Sequence, residues 1–487
     1  MLTVPTGALS ALIALPAFLL GPQQQQATPA PTPPVAPVFA PPSAPLDERI
    51  DASKITAQSL PRLPEPVAQP LRVFARIATA PAQVPMNSER FEAARAAIAR
   101  GLAYLRSTQR PSGAWMEREA VQPTDQPRAS SASVAVTAMG ARAFLQAGVQ
   151  DEASARAMDF VLAQVRAKGY DGLAEGGVGT YTTSAVLSAL ALSGEPRYGD
   201  EIRAAIDWLK GSQWDQSEGV RAEQDWFGGA GYGRNKRPDL SNTQLMLDAL
   251  HDAGVSPDDP AVQKALAFVS RAQNLPASND AAWARTGATL ERPDAPGKTY
   301  ADGGFIYTPA NGGESFASEK AGEGRFGETM PPGHRSLRSY GSMTYAGFKS
   351  MVYAGLSRDD DRVKAAFAWI AANYTFDQNP GLGQDGLYYY YYVMSRALLA
   401  GQQNEIPAIA ASPDRVIASD ATAKTPTPAA SPRNWRDDLV AAILARQRPD
   451  GSWVNDATRW EEGNADLVTI YAILALEEAL KPVLQVE

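Results

Sequence analysis

Apolar residues between positions 90 and 480 recur with a helical period. Phe91, Ala94, Ile98, Leu102 and Leu105 fall three or four residues apart and form one stripe of a helix. That helix ends on an aromatic–aliphatic pair, Tyr104-Leu105. Four residues past Leu105 stands Gln109, followed by Gly113 and Trp115. A second helix, apolar on most sides and rich in alanine, is predicted from about Ser130 to Ala147, closed by Gly148.

This unit repeats. The pair returns as Phe160-Val161, Trp208-Leu209, Phe268-Val269, Trp369-Ile370 and, weakened, Ala442-Ile443. Gln213, Gln273 and Gln447 follow their pairs as Gln109 does, whereas copies two and five carry Val165 and Tyr374 there. A glycine turn is expected after each first helix: Ser112-Gly113, Asp171-Gly172, Gly228-Gly229, Asp302-Gly303, Asp385-Gly386 and Asp450-Gly451. Apolar second helices are predicted at about 181–194, 241–253, 341–355, 387–400 and 464–480. Helices that are apolar on most sides must lie between layers. An open stack of six hairpins would leave two ends needing polar caps; a ring removes both. The expected fold is therefore all-α, an (α/α)6 toroid over residues 89–482 with the second helices inside, preceded by an N-terminal disordered leader. An insert at 274–339 and a flexible linker at 402–431 interrupt it. The insert is expected to cap the mouth. It contains His334, which is expected on the surface.

Composition narrows the chemistry. The chain has 487 residues, no cysteine, two histidines and a formal net charge of −8. Thiolate catalysis and thiolate metal sites are excluded, and no metal or cofactor is expected. No basic block marks a nucleic-acid partner. Residues 1–22 include an apolar run from Ala8 to Leu20, with no Lys or Arg before Arg49. They read as a signal peptide or short anchor, so the protein is expected to be exported, periplasmic or extracellular. An uncleaved N-terminus would give membrane contact. Residues 23–88 form a linker opening on four glutamines and dense proline.

The run Arg100-Gly101, Tyr104-Leu105, Gln109, Gly113, Trp115 resembles the QW motif of triterpene cyclases, and Gln447, Gly451 and Trp453 keep its spacing. The chain so resembles the squalene-hopene cyclase / prenyltransferase and squalene oxidase repeat superfamily, over roughly residues 90–480. The resemblance implies a structural motif, with Gln109 bonding loop and helix-end backbone and Trp115 stacked beneath it. It also implies an Asp-x-Asp-Asp acid, which this sequence lacks. Asp359-Asp360-Asp361 and Asp258-Asp259 precede outer helices and read as caps.

The central cavity is the expected ligand site. In the helix carrying tyrosines 388–392, Tyr389, Tyr392 and Arg396 should face it, opposite Leu387, Tyr391, Met394 and Leu398. Tyr345 and Phe348, on one stripe with Lys349 beside it, are further ligand-binding candidates. Aromatic rings suit an apolar or isoprenoid molecule and its cations; core filling is the competing role. Among acids Asp385 is the best catalytic candidate, since it leads into the tyrosine helix. Asp302 reads as a turn residue, and Asp466 as cap or cavity residue. The function expected is binding, with or without transformation, of an apolar or isoprenoid ligand; the alternative is a non-catalytic extracytoplasmic binding or scaffold protein. A glycan hydrolase or lyase would need two carboxylates facing across the cavity.

Overall fold

The computed structural model describes residues 77–116, 131–326, 337–407 and 431–482. The expected signal peptide, most of the leader, His334 and most of the 402–431 linker lie outside them.

Six helical hairpins follow one another: α1 (Ser88–Thr108) with α2 (Ser131–Gln146), α3 (Glu152–Ala174) with α4 (Gly179–Ser193), and α5 (Gly199–Lys210) with α6 (Leu240–Asp252). The fourth first helix, α7 (Pro260–Arg271), reaches its partner α10 (Gly341–Tyr353) only after the insert, which folds as two short helices, α8 (Ala282–Gly287) and α9 (Phe316–Lys320). Within it β1 (Glu291–Arg292) pairs antiparallel with β2 (Ala295–Thr299). The last hairpins are α11 (Asp361–Ala372) with α12 (Leu387–Ala400) and α13 (Trp435–Leu444) with α14 (Ala465–Ala479). β3 (Glu405–Ile406) and β4 (Arg433–Asn434) pair antiparallel and bring the flanks of the late linker together.

The second helices pack in the order α2, α4, α6, α10, α12, α14 and back to α2, so the inner ring is closed. Outside it, α3 rests between α2 and α4, α7 between α6 and α10, α13 between α12 and α14, and α1 packs on α14 and α13. Five of the six outer helices begin on side-chain caps: Asn87, Asp151, Asp259, Asp360 and Asn434 accept from backbone N–H groups of the first turn, whereas α5 starts after Tyr198 without one. Asp259 and Asp360, from the two acidic runs, thus act as helix caps.

In four of the six copies the repeated glutamine and turn glycine tie a hairpin to the next. Gln109 donates its amide to Gly113 O (2.9 Å) and to Ala153 O (2.8 Å) at the start of α3. Gln213 does so to Gly228 and Ala261, Gln273 to Gly303 and Arg362, and Gln447 to Gly451 and Ala97. The turn glycines Gly113, Gly228, Gly303 and Gly451 all have positive φ. A Cβ on any of them would meet a backbone carbonyl of the next outer helix at 2.7 Å or less. Glycine is therefore required twice, by backbone conformation and by close approach. Trp115 and Trp453 each donate their indole N–H to the end of the preceding outer helix, at Leu105 O and Ile443 O. Their backbone N–H groups bond Thr137 and Thr469 on the inner helix, as Ala230 and Phe305 bond Thr243 and Thr344.

Copy two departs from the expected turn. Asp171-Gly172 lies inside α3, which kinks at Gly169 (φ 62°) and resumes to Ala174. Without a glutamine at Val165 no amide holds the loop. Instead the Asp171 carboxylate accepts from Trp208 Nε1 and Arg234, linking the second repeat to the third. In copy five Tyr374 replaces the glutamine, and its hydroxyl bonds Asp438 on the next outer helix.

Candidate functional site

The ring encloses a hollow at the N-terminal ends of the inner helices. It holds about 1110 Å³ of empty space, its opening included. The wall is mainly apolar and aromatic: Met116, Met139, Met343, Val178 and Leu467 alternate with Tyr181, Tyr232, Tyr307, Tyr340, Tyr389 and Tyr471. Tyr307 and Phe316 come from the insert, so that segment supplies part of the mouth. Two large hydrophobic residues stand exposed among the described residues, Trp460 at 42% and Tyr232 at 38%, and both line this opening. Exposed aromatic rings cost hydrophobic free energy unless something covers them. Trp460 and Glu461 also adopt left-handed backbone, φ 57° and 64°, which non-glycine residues enter at a cost. Arg459 lies over the rings of both Phe316 and Trp460, holding the strained turn against the insert.

Two buried carboxylates adjoin the hollow. Glu462 accepts from the backbone N–H groups of Tyr388 (3.2 Å) and Tyr389 (2.8 Å) and from Asn455 Nδ2 (2.7 Å). It caps α12, whose own N-cap residue, Gly386, has no side chain to offer. Burial raises its pKa in spite of those bonds. Asp239 caps α6 through Asn242, and burial pushes its carboxyl up to about 6. Tyr181 and Ser241 share a hydrogen bond (2.5 Å), Ser241 bonds the Tyr389 hydroxyl (2.8 Å), and Gln244 donates to that hydroxyl (3.0 Å).

Below this line the ring is filled by charge. Lys349 Nζ donates to Gln244 Oε1 (2.7 Å) and Asp248 Oδ2 (2.8 Å); Arg396 pairs with Asp252 (2.8 Å); Arg142 reaches Asp252 and Glu478 (3.5 Å each) and Tyr392 (3.2 Å). Burial lowers the Lys349 ammonium to about 8, with Asp248 opposing. Asp252 is held below the usual carboxylate range, because Arg396 and Arg142 outweigh its burial. Such a plug is stable only while each charge keeps its partners.

The structure distributes the sequence candidates unequally. Tyr389 lines the hollow, and Tyr392 faces a smaller chamber beneath it. Arg396 is buried in the charge plug, bonded to Asp252 and within 3.4 Å of Tyr353 Oη. Tyr345 and Phe348 are turned away from the hollow: Tyr345 meets the Tyr390 ring edge-on at 5.6 Å, and Phe348 packs on Phe367 and against Gly401. On α10 it is their neighbour Lys349 that faces inward. Asp385 sits outside the lining of the hollow, near Lys320 (3.8 Å) and Arg459 (3.6 Å). Asp302 is spent on Ser339, the Gly304 N–H and Trp369 Nε1, and Asp466 accepts from Thr108 on α1. Sequence reasoning missed Glu462, Trp460, Tyr471, Arg142 and Asp248. Arg142 and Asp248 could have been found, since a charge on an otherwise apolar inner helix has nowhere to go but the ring's centre. Glu462 and Trp460 lie in a connection whose spacing carries no such signal.

No family model matches the chain, and no curated protein does. Solved structures with a similar trace include a family 76 glycoside hydrolase from a bovine Bacteroides thetaiotaomicron strain, at 11% identity over 79% of this chain and 78% of that one, TM-score 0.45. A variant of a type II terpene cyclase from Scytonema, in complex with geranylgeranyl dihydroxybenzoate, is 12% identical over 81% and 99%, TM-score 0.37. A glycosidase is 12% identical over 82% and 100%, TM-score 0.37. At these values the likenesses carry no argument about activity, and the closed ring rests on its own helix contacts.

Proposed function

We propose that the protein is an exported toroid that binds an apolar, isoprenoid-like small molecule in its central hollow. The observation that carries this reading is the wall itself: an aromatic and methionine-rich surface left open to solvent, with Trp460 and Tyr232 exposed at its rim. The QW-like residues support the same reading through their resemblance to triterpene cyclases. Binding without turnover fits the acids best. Glu462 and Asp239 both spend their oxygens on helix caps, and Asp385 stands outside the hollow.

The experiment is to incubate the full chain with squalene and with farnesol, then extract and analyse by mass spectrometry while measuring binding in parallel. The expected result is saturable binding with recovery of unchanged ligand. A cyclised product that disappears in Glu462→Gln would replace binding by catalysis. No binding of either probe, alongside binding of a soluble oligosaccharide, overturns the reading.

A further inference from the structure

Beneath the hollow lies a second, much narrower chamber, lined by Arg142, Ser184, Ser188, Asp248 and Tyr392 among others. Ala135, Met139, Tyr181, Tyr389 and Tyr471 border both spaces and form a collar between them. The two differ in chemistry: the upper wall is aromatic and methionine-rich, whereas the lower one sets Arg142, Ser184, Ser188 and Asp248 among the apolar Ala185 and Leu245. Asp248 lies seven residues after Ser241 on α6, about 10 Å deeper along the axis at 1.5 Å per residue.

We propose that this chamber receives the terminal hydroxyl group of the molecule whose apolar body fills the hollow; the proposal rests on the reading of the hollow above. Two buried atoms of residues lining the chamber have no hydrogen-bond partner among the described residues, Ser184 Oγ and Asp248 Oδ1. Ser184 is 3% exposed and Asp248 2%. A buried polar atom left unpaired is costly, so such a pair marks where a partner belongs. The neighbouring polar groups are already engaged: Ser188 donates to Asp252, and Tyr389 bonds Ser241 and Gln244.

The charges select the class of ligand. Four buried cations, Arg142, Lys349, Arg396 and Lys481, surround the carboxylates of Asp248, Asp252 and Glu478. An incoming anion would meet the free oxygen of Asp248. An incoming cation would share that carboxylate with Lys349, 2.8 Å from its other oxygen. A neutral hydroxyl avoids both costs. It donates to Asp248 Oδ1 and accepts from Ser184 Oγ, satisfying an acceptor and a donor with one group.

The test compares three probes that share one apolar chain, farnesol, farnesyl methyl ether and farnesene, by equilibrium binding to the full-length protein. Wild type should prefer farnesol over the ether by roughly tenfold or more, the worth of an unreplaced buried hydrogen bond. Ser184→Ala should reduce that preference while farnesene binding stays unchanged. Ser184→Leu, which fills the chamber, should weaken farnesol but spare a shorter apolar probe such as isoprene. Equal binding of farnesol and the ether to wild type, with farnesene also bound, overturns the proposal and leaves the hollow's role standing. Failure of all three probes to bind overturns both. Should Ser184→Ala prove unstable, the wild-type comparison decides alone.

Discussion

Gln447 donates its side-chain amide to the carbonyl of Ala97, 350 positions earlier in the chain, at 3.0 Å. The same amide holds Gly451 O, and Arg100 of α1 bonds its oxygen in return. Elsewhere this arrangement joins a hairpin to its successor; here it joins the last hairpin to the first and closes the outer ring. Gln447→Ala should therefore lower stability by about 1–3 kcal/mol, by stranding two carbonyls. Urea denaturation of the variant checks this, and an unchanged midpoint would show that the closure is not held by this amide.

The turn glycines should rank by what a methyl group would strike. At Gly228 a Cβ would lie 1.8 Å from Lys264 O, whereas at Gly194, also with positive φ, nothing stands within 4 Å. Gly194→Ala should cost about 1–2 kcal/mol, the left-handed penalty alone. Gly228→Ala should cost distinctly more, since the turn must separate from α7. Comparable melting temperatures for the two would contradict the packing account.

The strained rim should trade stability against binding. Trp460 and Glu461 both hold left-handed backbone. Glu461→Gly should leave thermal stability equal or slightly raised, because the relief of about 1–2 kcal/mol offsets the entropy glycine loses on folding. Trp460→Gly should also fold, yet bind farnesol at least several-fold more weakly. A Trp460→Gly protein with native affinity would remove the rim from the binding surface.

Asp239 gives a pH dependence of known sign. Its folded pKa of about 6 lies above the ordinary carboxylate value of 3.8. The folded state therefore binds this proton more tightly than the unfolded chain does. The associated stability is fully present below pH ~4 and is lost as pH rises through ~6, a change on the order of 3 kcal/mol. Asp239→Asn keeps a capping oxygen but cannot titrate. The difference in stability between wild type and variant should vary between pH 4 and 6 and be flat above 7. A flat difference throughout would refute the assignment.

The charge plug should behave as a unit. Lys349 is fully buried against Asp248, so Lys349→Met should destabilise by about 3–5 kcal/mol, since the carboxylate then keeps only Arg396, 3.6 Å away. Adding Asp248→Asn should recover part of that loss. Strictly additive effects of the two changes would mean that the pair is not coupled.

The sequence by itself determined the hairpins and their periodic ties. Local spacing specifies which faces are apolar, and the turn glycines and glutamines serve contacts made in the same way by four of the six repeats. The predicted inner helix at 387–400 coincides with α12, and the others lie within a few residues of their observed ends. Sequence reasoning failed where an element's partner is remote in the chain. The second turn, lacking its glutamine, is replaced by an Asp171–Trp208 bond, and Glu462 caps α12 from the following connection. Helical spacing places Tyr345 and Lys349 near one another without saying which faces the axis. Closing the ring decides that: the inner surface of α10 is the one that meets Asp248 of α6, and the Tyr345 ring is left to pack on Tyr390. The hollow, its collar and its charged floor belong to no single hairpin. They arise only when six inner helices converge, because each contributes side chains to a space that none of them encloses alone.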